Sequence, residues 1–158
     1  MHKRISRIII ILAGLFVITL DQVVKFYLSG ALQPNSSIPV IKDIFHITLV
    51  YNTGAAFGLF KDQPLLFFIG VSAVAITYLI YFLKVVDKAK LFLTLALVLI
   101  LAGSISNLID RFRVGCVIDF LDFRVWPVFN LGDSAITVGV LILVLHLFLK
   151  RKNASHTC

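Results

Sequence analysis

Glutamate is absent from the 158-residue chain: all eight acidic residues are aspartates, set against 15 lysines and arginines. Cysteine occurs only at Cys116 and Cys158, and proline and glycine together make up 13 residues. Two distant cysteines exclude a disulfide scaffold, and so little proline and glycine excludes a disordered or low-complexity chain. Charge is scarce too, with 15% of residues charged, 59% hydrophobic and a mean hydropathy of +1.00. A water-soluble domain of this size has no use for that much apolar surface, so the class is integral membrane. The net charge of +7 raises the question of nucleic acid. That partner needs a solvated basic face, and here most basic residues flank apolar runs, so none is expected.

Four runs are long enough to cross a hydrocarbon core, which takes about 20 helical residues. They lie at about 8–28, 64–83, 91–109 and 128–149. Lys3, Arg4 and Arg7 precede the first, Lys84, Lys88 and Lys90 fill the second link, and Lys150, Arg151 and Lys152 follow the fourth. By the positive-inside rule these ends face the cytoplasm, giving N-in/C-in topology. The remaining links carry balanced charge: Lys42, Lys61, Arg111, Arg113 and Arg124 against Asp43, Asp62, Asp110, Asp119 and Asp122. The first run has no small-x-small cleavage site after it and is too long for a signal-peptide core, so it reads as an uncleaved helix. Ile38–Ile41 and Ile44–Tyr51 are rich in β-branched and aromatic residues and bounded by turn residues. The expected fold is therefore an all-α polytopic membrane protein, a single domain over 1–158, with a small β-rich segment at about 30–62 on the outer membrane surface.

Ionisable groups at membrane depth are costly and point to function. They collect at one side: Asp21 and Lys25 late in the first span, Asn107, Asp110 and Arg111 late in the third, Asp119 and Asp122 beyond it, Asn130 and Asp133 at the start of the fourth. The histidines, His2, His46, His146 and His156, are too scattered to share a metal ion with these acids. Ser104, Ser106 and Ser134 have no histidine on their side of the membrane. A serine with Lys25 stays open, although Asp21 one turn away favours an ion pair. Cys116 reads as a small apolar filler. Two carboxylates brought together cannot both ionise, and a shared proton makes one the base for water and the other the acid for a carbonyl oxygen. Asp119 and Asp133 suit such a pair best: Asp119 lies between Ile118 and Phe120, and Asp133 begins a helix whose dipole favours its anion. At this point isolated or ion-paired aspartates remain the competing reading. A small transporter or channel subunit is the alternative from another class, but its path needs acids through the whole depth of the bundle.

Several ordered blocks then carry a resemblance: Asp21-Gln22-Val23-Val24-Lys25, Asn52-Thr53-Gly54-Ala55-Ala56-Phe57-Gly58, Asn107-Leu108-Ile109-Asp110-Arg111, Gly115-Cys116-Val117-Ile118-Asp119-Phe120, and Phe129-Asn130-Leu131-Gly132-Asp133-Ser134. With the chain's size and span layout, they resemble the lipoprotein signal peptidases, or signal peptidase II, aspartic peptidases of bacterial membranes. The resemblance implies Asp119 and Asp133 as the catalytic dyad. It implies Asn52, Asn107, Arg111 and Asn130 as groups that hold the aspartates or the substrate backbone, Gly54 as a point of close approach, and Asp21 with Lys25 as a brace or a substrate contact. Asp110 is expected to pair with Arg111 or Arg113, and Asp122 to be solvated. No metal or other cofactor is implied. The implied substrates are diacylglyceryl-modified prolipoproteins, cut N-terminal to the lipidated cysteine at the outer face of the bacterial cytoplasmic membrane, by a monomer whose other partners are membrane lipids. Phe45, Tyr51, Phe57, Phe60 and Trp126 are candidates to shield the site, with the segment around Phe57 as a lid. Where the family usually shows more glycine, this chain reads Ala102-Gly103-Ser104-Ile105-Ser106-Asn107, which keeps small residues for close helix packing.

Overall fold

A computed structural model describes residues 2–54, 63–85 and 91–155. Four helices, α1 (His2–Ala31), α2 (Leu65–Val85), α3 (Leu91–Val114) and α4 (Leu131–Ser155), are joined by three strands, β1 (Ser37–Ile41), β2 (Phe45–Asn52) and β3 (Val117–Asp122). Stretches of all four helices, Ile8–Ala31, Leu65–Lys84, Leu91–Val114 and Leu131–Leu149, are long and apolar enough to span a membrane.

The helices are apolar on the outside, as a lipid solvent requires. Ile9, Leu12 and Phe16 of α1 and Leu141, Leu145 and Phe148 of α4 are all exposed. The inside is made of small and polar residues instead. On α3, the central helix, the buried positions are Ala96, Leu97, Ala102, Gly103, Ser106, Asn107 and Asp110. Without a hydrophobic effect between helices, close backbone approach and interhelical hydrogen bonds hold them together. Gly103 meets Gly132 of α4 so closely that a Cβ on Gly103 would collide with the Gly132 carbonyl.

The helices extend beyond the expected spans or start later. α3 runs to Val114 rather than 109 and stops where Gly115 takes φ +82°, a left-handed position natural to glycine at a helix end. α4 begins at Leu131 rather than 128, because Asn130 is its N-cap: Asn130 Oδ1 accepts from the Asp133 N–H at 2.8 Å, and Asp133 Oδ2 accepts from the Asn130 N–H at 3.4 Å.

The β-rich segment forms β1 and β2 as expected, but the sheet has a third strand that the hydrophobic pattern did not reveal. The order is β1-β2-β3, antiparallel throughout. β3 comes from the link between the third and fourth spans, and pairs Val50 with Asp119 and Asn52 with Val117. Its start follows the end of α3, and Leu121 pairs with Phe129 just before α4. A strand tied to two helix ends on the same side of the bundle must lie across that side, and this carries Asp119 over the start of α4.

Candidate active site

Asp119 is 1% exposed on β3. Asn52, on the same face of the neighbouring strand one diagonal step away, donates from Nδ2 to Asp119 Oδ2 at 3.0 Å, and Asn130 Nδ2 donates to Oδ1 at 2.6 Å. Asp133 sits in the first turn of α4, where its Oδ1 accepts from Asn107 Nδ2 at 2.7 Å. Asn130 therefore touches both aspartates, by its side chain and by its main chain. Burial pushes the Asp119 carboxyl up to about 7, and the charge of Asp133 pushes the same way, against the hydrogen bonds from Asn52 and Asn130 and the attraction of Lys25.

Arg111 reaches the opposite side of this pair. It donates to the Gly54 carbonyl at 3.3 Å, lies 5.2 Å from the centroid of the Phe68 ring, and is within electrostatic range of both Asp133 and Asp119. Gly54 in turn donates its N–H to Asn52 Oδ1 at 3.0 Å. Asn52, Gly54, Asn107, Arg111 and Asn130, the positions that the resemblance implied, are thus brought together around Asp119 and Asp133.

Behind the pair lies a second, fully buried cluster. Lys25 Nζ is 2.6 Å from Asp21 Oδ2 and 2.7 Å from Asp110 Oδ2, with all three side chains at 0% exposure. That placement corrects one expectation. Asp110 pairs with Lys25 and not with Arg111 or Arg113, because the inward face of α3 points it at α1. Asp21, sealed from solvent, braces Lys25 and the first N–H groups of α4. Lys25, held by two carboxylates, is a charged partner and not a free base for Ser106 or Ser134. The cluster reaches the pair through the main chain: Asp21 Oδ1 accepts the Leu131 and Gly132 N–H groups at 3.0 and 3.2 Å, and Asp110 Oδ2 accepts the Ile118 N–H at 3.2 Å.

Gln22 and Ser106 also belong to this cluster, although the sequence showed Gln22 only within a matching block and Ser106 only as a candidate nucleophile without a base. Gln22 Nε2 donates to Asp110 Oδ1 at 2.9 Å and to Ser106 Oγ at 3.0 Å, while Ser106 Oγ donates to Asp21 Oδ2 at 2.6 Å. The available signal was their depth: an amide and a hydroxyl in lipid-spanning turns need partners, and the nearest are each other.

Asp122, expected in solvent, is 5% exposed. Burial alone would raise its carboxyl, but hydrogen bonds from Thr48 Oγ1 at 2.7 Å and from the main chain and guanidinium of Arg124 outweigh that and hold it low. The strand carries it inward beside β2, away from Asp119. Cys116 is buried and burial raises its thiol, which fits a filler and not a nucleophile. Of the shielding aromatics, Phe45 packs against Phe123 at 4.9 Å, while Tyr51 and Trp126 are exposed. Phe57, Phe60 and the lid expected around them lie outside the described residues. Among the described residues no three histidine, cysteine or acidic side chains form a metal-ligating group.

Comparison with known proteins agrees with this fold. The lipoprotein signal peptidase of Halothermothrix orenii is 45% identical over 139 residues, spanning 87% of this chain and 94% of that one. The lipoprotein signal peptidase of Syntrophus aciditrophicus is 42% identical over 154 residues, spanning 92% and 95%. A bacterial membrane enzyme whose structure was obtained by the in meso method superposes with a TM-score of 0.87 at 32% identity, covering 91% of this chain and 90% of that one. Residues 13–149 match the family model described as signal peptidase (SPase) II, and with relatives this similar over nearly its whole length, the chain belongs to the signal peptidase II family.

Proposed function

We propose that this membrane peptidase removes signal peptides from diacylglyceryl-modified prolipoproteins by metal-free aspartic chemistry, with Asp119 and Asp133 as the dyad. The observation that carries the reading is the single asparagine, Asn130, that binds both carboxylates, one of them buried enough to hold its proton near neutral pH. Asp119 keeps the proton and Asp133 carries the charge. A water between them gives a proton to Asp133 as its oxygen attacks the scissile carbonyl, and Asp119 passes its own proton to the carbonyl oxygen. Collapse of the resulting diol returns one proton to Asp119 and sends the one on Asp133 to the departing amine, which restores the starting state.

The described acids within the spans, Asp21, Asp110 and Asp133, all sit at the sheet end of the bundle, which supports a site at one membrane face and not an ion path. The basic sequence clusters belong to the other ends of the helices, which supports N-in/C-in placement in the bacterial cytoplasmic membrane with the sheet outside. From that face the substrate's acyl chains stay in the outer leaflet while its peptide reaches the dyad. The lipid anchor of the substrate supplies the positioning that a soluble peptide would lack.

The test is cleavage of a purified diacylglyceryl-prolipoprotein in detergent, followed by gel shift, with and without EDTA. Wild type is expected to cut in both, and Asp119→Asn and Asp133→Asn to lose roughly 10³-fold or more while remaining folded. Cleavage at a normal rate by either variant removes that residue from the dyad, and EDTA inhibition reversed by zinc overturns the metal-free chemistry.

A further inference from the structure

An asparagine amide has one donating end and one accepting end, and the end that faces a carboxylate decides which protonation state it favours. Three amides face the dyad, and each is turned by a group behind it that can only donate. The Gly54 N–H takes Asn52 Oδ1, and the Asp133 N–H takes Asn130 Oδ1, so both side chains turn Nδ2 toward Asp119. Asn107 is oriented by a side chain instead: its Oδ1 accepts from Lys25 Nζ at 3.1 Å and from Asn130 Nδ2 at 3.1 Å. An ammonium has three hydrogens and no lone pair, and Lys25 spends its three on Asp21, Asp110 and Asn107.

We propose that Lys25, fixed by Asp21 and Asp110, is a positioning residue that orients the Asn107 amide so that Nδ2, and not the carbonyl, faces Asp133. The proposal rests on the dyad reading above and adds a direction to it. With Nδ2 forward, Asp133 accepts at Oδ1 as an anion, the form that takes a proton from water. With the amide reversed, a carbonyl would face Oδ1, and only a protonated Asp133 could bond to it. The base would then be absent until the pH rose further. The charged groups facing this junction are Lys25 and Asp21 from α1, Asp110 and Arg111 from α3, and Asp119 from β3.

Removing Lys25 alone would strand two acids, so the test uses charge-balanced pairs. In Lys25→Gln/Asp110→Asn a neutral donor remains at position 25 for Asn107 beside that of Asn130, and in Lys25→Met/Asp110→Asn only Asn130 still donates to it. Asp21 keeps its bonds from Ser106, Leu131 and Gly132 in both, and the residue at 110 still offers an oxygen to Ile118. Both proteins are compared with wild type for kcat, KM, thermal unfolding and the pH profile of cleavage. The Gln pair is expected within about tenfold of wild-type kcat, and the Met pair about another tenfold lower, with KM unchanged and the acid limb moved to higher pH by about one unit. Equal kcat and equal acid limbs in two folded variants overturn the proposal. If the Met pair does not fold, Asn107→Asp, which must present oxygen to Asp133, serves in its place: an unmoved acid limb there overturns the proposal, and a raised one supports it. A wild type that does not cleave takes away the dyad reading, and the proposal with it, a result distinct from loss confined to the Met pair.

Discussion

Two pairs of aspartates, joined through Lys25 and Asn107, lie out of bulk water wholly or in part, and they solve the same problem in opposite ways. Asp21 and Asp110 share Lys25 and take main-chain N–H groups with their remaining lone pairs. Among the described residues Asp119 and Asp133 share no cation at bonding distance; amides hold them, and Asp119 is left to bear the charge of Asp133. Taking a carboxylate out of water costs free energy unless a charge or hydrogen bonds offset it. In the first, a lysine offsets it and the charges become scaffolding. In the second, the amides and the more distant Lys25 offset it only in part, and that leaves a proton on Asp119 near neutral pH. The difference between structure and chemistry here is a single ammonium group.

The contrast can be broken most severely at its cation. Lys25→Met is expected to destabilise the protein by about 3–5 kcal/mol, since it leaves two sealed carboxylates without a counterion. A thermal unfolding midpoint within a degree or two of wild type would show that the first pair does not depend on its lysine. The second pair is sharpened by pH. The Asp119 carboxyl sits at about 7 in the folded protein against an ordinary value of 3.8. The folded state therefore holds more protons than the unfolded one in that interval, and stability falls as pH rises through it, levelling off above about 7. Cleavage should decline over the same upper range as Asp119 loses the proton it must deliver. Asp119→Asn, inactive, should therefore unfold a few degrees higher than wild type at pH 8 and show less of this advantage at pH 5; an advantage independent of pH would contradict the assigned proton. The smallest effect is expected at Asp122, a further buried acid that resembles the first pair in being satisfied. Thr48→Val removes one of its donors and should cost about 1 kcal/mol, with activity preserved. A loss of cleavage there would join Asp122 to the site.

How much of this the sequence disclosed follows from the range of each interaction. The spans were legible because lipid selects on composition, which is local. Asp119 and Asp133 were legible as candidates through their neighbours, apolar flanks in one case and a helix start in the other, and it was the resemblance that singled them out as a pair. β3 was not, since six residues reading Val-Ile-Asp-Phe-Leu-Asp after a helix give no period that separates a strand from a helical tail. Without that strand Asp122 has nowhere to be buried, so it was expected in water. Asp110 was matched to the arginines beside it because sequence nearness was all there was to judge by. Its true partner is 85 positions away and is brought close only when α1 packs on α3.

The contact between Gly103 and Gly132 carries a last consequence. Neither residue has any chemistry, yet α3 and α4 touch there through bare backbone, one residue before Asp133 and four before Asn107. A methyl group at position 103 would meet the Gly132 carbonyl and wedge the two helices apart, carrying the acid away from the amide that holds it. In a map of tolerated substitutions these two positions should therefore read like active-site residues. The tolerance of this enzyme to change is governed there by clearance, measured in tenths of an ångström, and not by reactivity.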